Sequence, residues 1–132
     1  MLNYKDYCDY DTCVALKELG FKEKTLAYYT SERFFHWRRA YIYDVAIPDL
    51  AKSSNIERYK HVLDAVSLYE AQKWLREEKG VIVGIINNFT TQEFDYYVST
   101  WEEDRCRGNK YTTYENALLR GIKEAVKILK EK

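Results

Sequence analysis

Between Ser67 and Ile86 the chain writes a helix with both ends marked and runs directly into an apolar strand. Ser67 and Glu70 stand at the spacing of an S-x-x-E capping box, in which two side chains satisfy orphan backbone amides at a helix start. Val66 and Ala71 hold the positions of a hydrophobic staple, and Gly80 falls where a helix turns off into a left-handed residue. Leu68, Ala71 and Leu75 recur at spacings of three and four, with Trp74 at the edge of the stripe. Such a stripe packs on a sheet. VIVGII (81–86) follows at once and is apolar on both alternating faces, so it reads as a central strand covered on two sides. Gly84 interrupts one face and leaves room for a close neighbour or a bulge.

The remaining elements are shorter or less sharply bounded. DTCVALKELGF reads as the first helix, with Asp9 or Asp11 as its cap, Gly20 just past its end and Phe21 placed for a contact back to Leu16. TLAYYT (25–30) and AYIYDVAI (40–47) are aromatic and β-branched and read as strands. The intervening SERFFHWRR is too long for a two-residue turn, so the hairpin's strands are expected to extend into it. Pro48 ends the second run, and the polar stretch after it reads as an irregular or partly helical insertion. NNFTTQE reads as a loop. FDYYVSTW (94–101) returns as a strand with Phe94, Tyr96 and Val98 on one side, completing a long hairpin. EEDRCRGNKY reads as a charged turn region with its bend at Gly108-Asn109.

A last helix is expected from Thr112, with a second capping box to Glu115. Leu118, Ile122, Ala125, Val126 and Leu129 form its apolar stripe, and Arg120, Lys123, Lys127 and Lys130 its other side, which by default is a solvated face. Gly121 lies inside this helix, where glycine costs about 1 kcal/mol relative to alanine, and the simplest reason for it is close packing on a sheet. The order helix, two strands, helix, two strands, helix gives an α+β chain, read as one domain over 1–132 with a mainly antiparallel sheet packed by helices. At 132 residues such a chain can bury a single core.

SLYEAQKWLREEKGVIVGI, the aromatic strand after it and the pattern Y-x-T-Y-E-x-A-L-x-x-G-I, here Tyr111 to Ile122, resemble a group of small uncharacterised proteins of phages and prophages of gut anaerobes. CVALKELGF fits the same pattern, and the likeness is weakest over 31–66. The resemblance implies a shared fold. That group has no assigned reaction, cofactor or catalytic residue, so no site carries over.

Charge excludes one broad class. Basic and acidic residues number 21 each, without the overall positive field of a strongly basic nucleic-acid binder. The balance is uneven along the chain: residues 63–104 hold three basic and nine acidic side chains, and 105–132 hold eight basic and three acidic. MLNYKDYCDYDTC lacks the pattern of a secretory signal, and no apolar stretch is long enough to span a bilayer. A cytoplasmic protein without a membrane partner is the expectation, with Cys8, Cys13 and Cys106 as thiols and Cys13 in the core.

No familiar chemistry is written into the chain. His36 and His61 are 25 positions apart, and Cys8 and Cys13 have poor zinc spacing. There is no phosphate-cradling glycine motif and no nucleophile elbow. Asp6, Asp9 and Asp11, and Glu102, Glu103 and Asp104, are acidic runs of the kind that turns expose to solvent. A non-enzymatic protein with no cofactor, no metal and no catalytic residue is expected.

One segment has binding character. In residues 33–43, Arg33, Arg38 and Arg39 interleave with Phe34, Phe35, His36, Trp37, Tyr41 and Tyr43. Aromatic and arginine side chains dominate protein-binding hot spots, and the same mixture stacks on unpaired bases while arginines meet phosphates. They could equally be packing residues beside an edge strand whose charge discourages aggregation. The expectation is an interaction module for a protein partner or for self-association, the alternative a weak single-stranded nucleic-acid binder.

Overall fold

The structure is a computed structural model and describes residues 4–23, 25–30, 33–37, 63–102, 104–106 and 110–131, with Arg105 and Cys106 by backbone alone. The fold is α+β, and the chain divides into two compact units, Met1–Ser67 and Leu68–Lys132. No helix among the described residues is long and apolar enough to cross a membrane.

In the first unit a single 3-10 turn, Tyr4–Asp6, leads to helix α1, Tyr10–Glu18. Asp9 is its cap and accepts the Thr12 amide at 3.0 Å. At the other end Gly20 has φ +109°, and the amides of Gly20 and Phe21 return to the carbonyls of Lys17 and Leu16. That pair of bonds is a Schellman closure, which only a residue at ease with positive φ allows.

Strands β1, Ala27–Tyr29, β2, Phe35–Trp37, and β3, Leu63–Ala65, form an antiparallel sheet in the order β2-β1-β3. The hairpin therefore extends into the segment between the two sequence-read runs, as expected. β3 lies just beyond the stretch read as an insertion and was not anticipated. Its register, Ala27 opposite Ala65 and Tyr29 opposite Leu63, places these four with Phe35 and Trp37 on one face and Tyr28, His36 and Asp64 on the other. The strand expected at 40–47, Pro48 and the insertion after it lie outside the described residues.

Polar contacts knit this core. Cys8 and Cys13 are buried free thiols. The Cys8 amide donates to the Val66 carbonyl at 2.8 Å, and the Val66 amide donates to Cys13 Sγ at 3.4 Å. Tyr29 donates its hydroxyl to the Cys8 carbonyl at 2.6 Å. Burial, with Cys13, Cys8 and Asp9 adding to it, holds the Tyr29 phenol well above its usual range, so the proton needed for this bond stays in place.

The second unit opens with helix α2, Leu68–Lys79, which buries Leu68, Ala71, Trp74 and Leu75. Gly80 has φ +67°, and the Val81 amide returns to the Leu75 carbonyl at 3.0 Å. Strands β4, Ile82–Asn88, and β5, Glu93–Ser99, pair along their whole length, and β6, Asp104–Cys106, pairs with β5 on the far side. Asn88 Oδ1 accepts the amides of Thr90 and Thr91 and so shapes the hairpin loop.

Two expectations change here. Among the described residues β4 is not a central strand: the sheet order is β4-β5-β6, so β4 ends it, and Ile82 and Ile86 are 45% and 44% exposed. Its run is apolar on both faces, but only the Val83 face is buried under a helix. α2 shields the outer edge near Val83, where the Gln72 side-chain amide donates to the Val83 carbonyl at 2.7 Å. Residues 104–106, read as part of a charged turn, are a strand too short to show a period; Gly108-Asn109 lies outside the described residues.

Helix α3, Tyr114–Lys130, packs on β4 and β5. Its cap is Thr113 rather than Thr112, with Thr113 Oγ1 accepting the Asn116 amide at 3.1 Å. The single-residue shift replaces Glu115 by Asn116 at the third helical position and removes the capping box. Ile128 is buried and Leu129 only half-buried, so the lower end of the stripe is Ile128. A Cβ on Gly121 would come within 2.5 Å of Val83 Cγ1 and 3.2 Å of Tyr96 Cβ, so the glycine admits the close packing of helix on sheet.

Candidate functional site

Of the eight binding candidates in residues 33–43, the structure describes Arg33, Phe34, Phe35 and Trp37; Arg38, Arg39, Tyr41 and Tyr43 lie outside the described residues. The four have different surroundings. Phe35 is half-buried, with its ring edge-on to Tyr7, Tyr29 and Trp37 at centroid distances of 5.1, 5.6 and 5.1 Å. It is a packing residue. Trp37 belongs to the same cluster, 5.4 Å from Tyr7, yet remains 47% exposed. Phe34 is 62% exposed. His36 is exposed on the opposite face and stacks on Tyr28 at 5.3 Å.

Arg33 is held inside its own unit. Its backbone takes φ +70° at the end of the hairpin turn, where the Arg33 amide donates to the Thr30 carbonyl at 2.9 Å. The guanidinium lies over the Tyr10 ring at 4.7 Å and donates to Asp11 at 3.1 Å. Both side chains of this ion pair remain largely exposed, so it is a surface contact of modest strength.

Three residues of the acidic runs have structural partners. Asp9 caps α1, Asp11 pairs with Arg33, and Asp104 accepts the Ser99 hydroxyl. Among the described residues no group of three or more His, Cys, Asp or Glu side chains is placed to hold a metal ion. His61, Glu103 and the Cys106 side chain lie outside the described residues.

The basic side of α3 is largely exposed, as expected of a solvated face, and it borders a cleft. Arg120, Lys123 and Lys127 line one wall of an open cleft of about 570 Å³, whose remaining lining is Lys110, Tyr111, Tyr96 and Glu124. Lys130 is exposed on the same helix but does not line the cleft. Nothing in the sequence points to Lys110 and Tyr111 as neighbours of this helix face. They arrive because Tyr111 bridges back to Phe94 through two backbone hydrogen bonds of 2.8 and 2.9 Å, a pairing 17 positions apart that no local pattern announces. Comparison with models of known protein families, with curated proteins and with solved structures finds no match to this chain.

Proposed function

We propose that this chain is a non-enzymatic binding module that contacts a protein partner through the aromatic surface around β2. The observation that carries the reading is the exposure of Phe34, just before β2, and of Trp37, within it, at a ring cluster that holds β2 in place. Rigid, half-exposed aromatic side chains gain contact area at low conformational cost, which is why they anchor interfaces. Phe35 is committed to packing, whereas Trp37 packs in the cluster and still keeps 47% of its surface exposed.

The first partner to test is a second copy of the chain. Solution mass measured across a concentration series is expected to rise for the wild type and to stay monomeric for the Phe34→Ser, Trp37→Ser double variant, with the helical signal of the two proteins alike. A wild type that stays monomeric throughout, together with equal capture of host proteins by wild type and double variant, overturns the reading.

A further inference from the structure

The cleft beside α3 gathers four basic side chains and one acidic one, a formal charge of +3 in a chain whose total is zero. Arg120, Lys123 and Lys127 follow one another at spacings of three and four, which stacks them along a single helix face. Like charges at these spacings repel. Glu124 lies four residues after Arg120 and three before Lys127, so it offsets one of the charges. Lys110 adds a further cation from a separate segment. Tyr96 and Tyr111, with ring centroids 6.3 Å apart, line the same space.

A solvated lysine face spreads its charge over convex surface. Here cations from a helix and from a separate segment line one open cleft, where their fields add and favour an incoming anion. Seven residues of helix separate Arg120 from Lys127, a rise of about 10 Å, which matches two or three linked phosphates rather than one isolated anion. Lysine meets phosphate as a point charge and arginine as a fork, and a tyrosine hydroxyl can donate to a phosphate oxygen.

We propose that this cleft binds a phosphate-bearing polyanion, with Arg120, Lys123, Lys127 and Lys110 as its cationic contacts. The same chemistry is presented by a free polyphosphate and by the backbone of a single nucleic-acid strand. This site is independent of the aromatic surface around β2, and either can fail without the other.

The test titrates the full chain with inorganic tripolyphosphate, with a single-stranded oligothymidylate and with a glutamate-rich peptide, each at 50 and 200 mM salt. Arg120→Ala and Lys127→Ala, both at exposed positions, are each expected to weaken phosphate binding about tenfold. Lys73→Ala, an exposed charge on α2 away from the cleft, is expected to leave it unchanged. If the oligonucleotide binds, three phosphate contacts imply a fall of roughly 20-fold between the two salt concentrations. Binding of tripolyphosphate alone assigns a free ligand, and binding of both through the same residues assigns a strand. No binding of either phosphate probe at 50 mM salt, equal or tighter binding of the acidic peptide, or binding indifferent to Arg120→Ala and Lys127→Ala overturns the proposal.

Discussion

In the unit spanning Met1–Ser67 the described strands are three residues long, and directional contacts help to close the core: Tyr29 on the Cys8 carbonyl, Val66 on the Cys13 sulfur and a set of edge-on rings. In the unit spanning Leu68–Lys132 two strands of seven residues lie under a helix of seventeen, whose buried stripe includes Ala117, Leu118, Ile122, Ala125, Val126 and Ile128. Among the described residues the first unit relies on particular partners, and the second relies on filled volume. A directional core is damaged by losing one acceptor or donor, an aliphatic one by losing methyl groups.

The largest effect should therefore come from volume in the second unit. Ile122 is fully buried at the centre of the α3 stripe, and Ile122→Ala is expected to cost about 3 kcal/mol, with Ile122→Val nearer 1. Denaturant midpoints of the two variants measure this directly. Equal costs for both would mean that the stripe collapses around a void and is not closely packed.

In the first unit the corresponding probe removes a single oxygen. Tyr29→Phe keeps the ring but leaves the Cys8 carbonyl without its hydroxyl donor, at an expected cost of about 1.5 kcal/mol. It also has a pH signature. The Tyr29 phenol titrates well above its ordinary value of 10.0 in the folded chain, so its contribution is complete below about pH 10. Above that, the unfolded chain loses this proton while the folded chain keeps it, and stability declines as pH rises. Stability curves from pH 8 to 11 should fall less steeply for Tyr29→Phe than for the wild type. Parallel curves would remove the buried hydroxyl from the account.

How much of this was legible follows from what each feature needs. α1 and α2 announce themselves through Asp9, Gly20 and Gly80, because caps are local chemistry with fixed spacing. β3 and β6 are three residues each, too short for an alternation to stand out, and both exist through pairing with β1 and β5. β4 reads as a strand but not as the end strand it is among the described residues, since a run apolar on both alternating faces says nothing about which face is covered. The basic wall of the cleft is visible as Arg120, Lys123 and Lys127, but the opposing Lys110 depends on the Tyr111–Phe94 bridge. Of residues 33–43, exposure separates Phe34 and Trp37 from Phe35, and exposure is a tertiary property.

Two glycines carry the contrast to a finer scale, within the second unit. A Cβ at Gly121 meets Val83 and the Cβ of Tyr96, atoms close to backbone that cannot swing aside. Overpacking of 1–3 kcal/mol then exceeds the gain of about 1 kcal/mol in helix propensity, and Gly121→Ala is expected to destabilise by about 1 kcal/mol.

Gly84 lies on the other face of the sheet, opposite Tyr97 in the β4–β5 register. A Cβ there would fall within the Tyr97 ring, but the atoms in the way belong to the far end of a half-exposed side chain that can rotate outward. The strand gains about 0.5–1 kcal/mol from exchanging glycine for alanine and loses a similar amount of Tyr97 packing. Gly84→Ala should therefore stay within about 0.5 kcal/mol of wild type, while Tyr97 becomes more accessible to nitration. A cost matching that of Gly121→Ala would show that the Ile82–Ile86 face is packed as tightly as the face beneath α3. The expected small shift instead marks it as a surface that yields, which is the property that separates the two sides of this sheet.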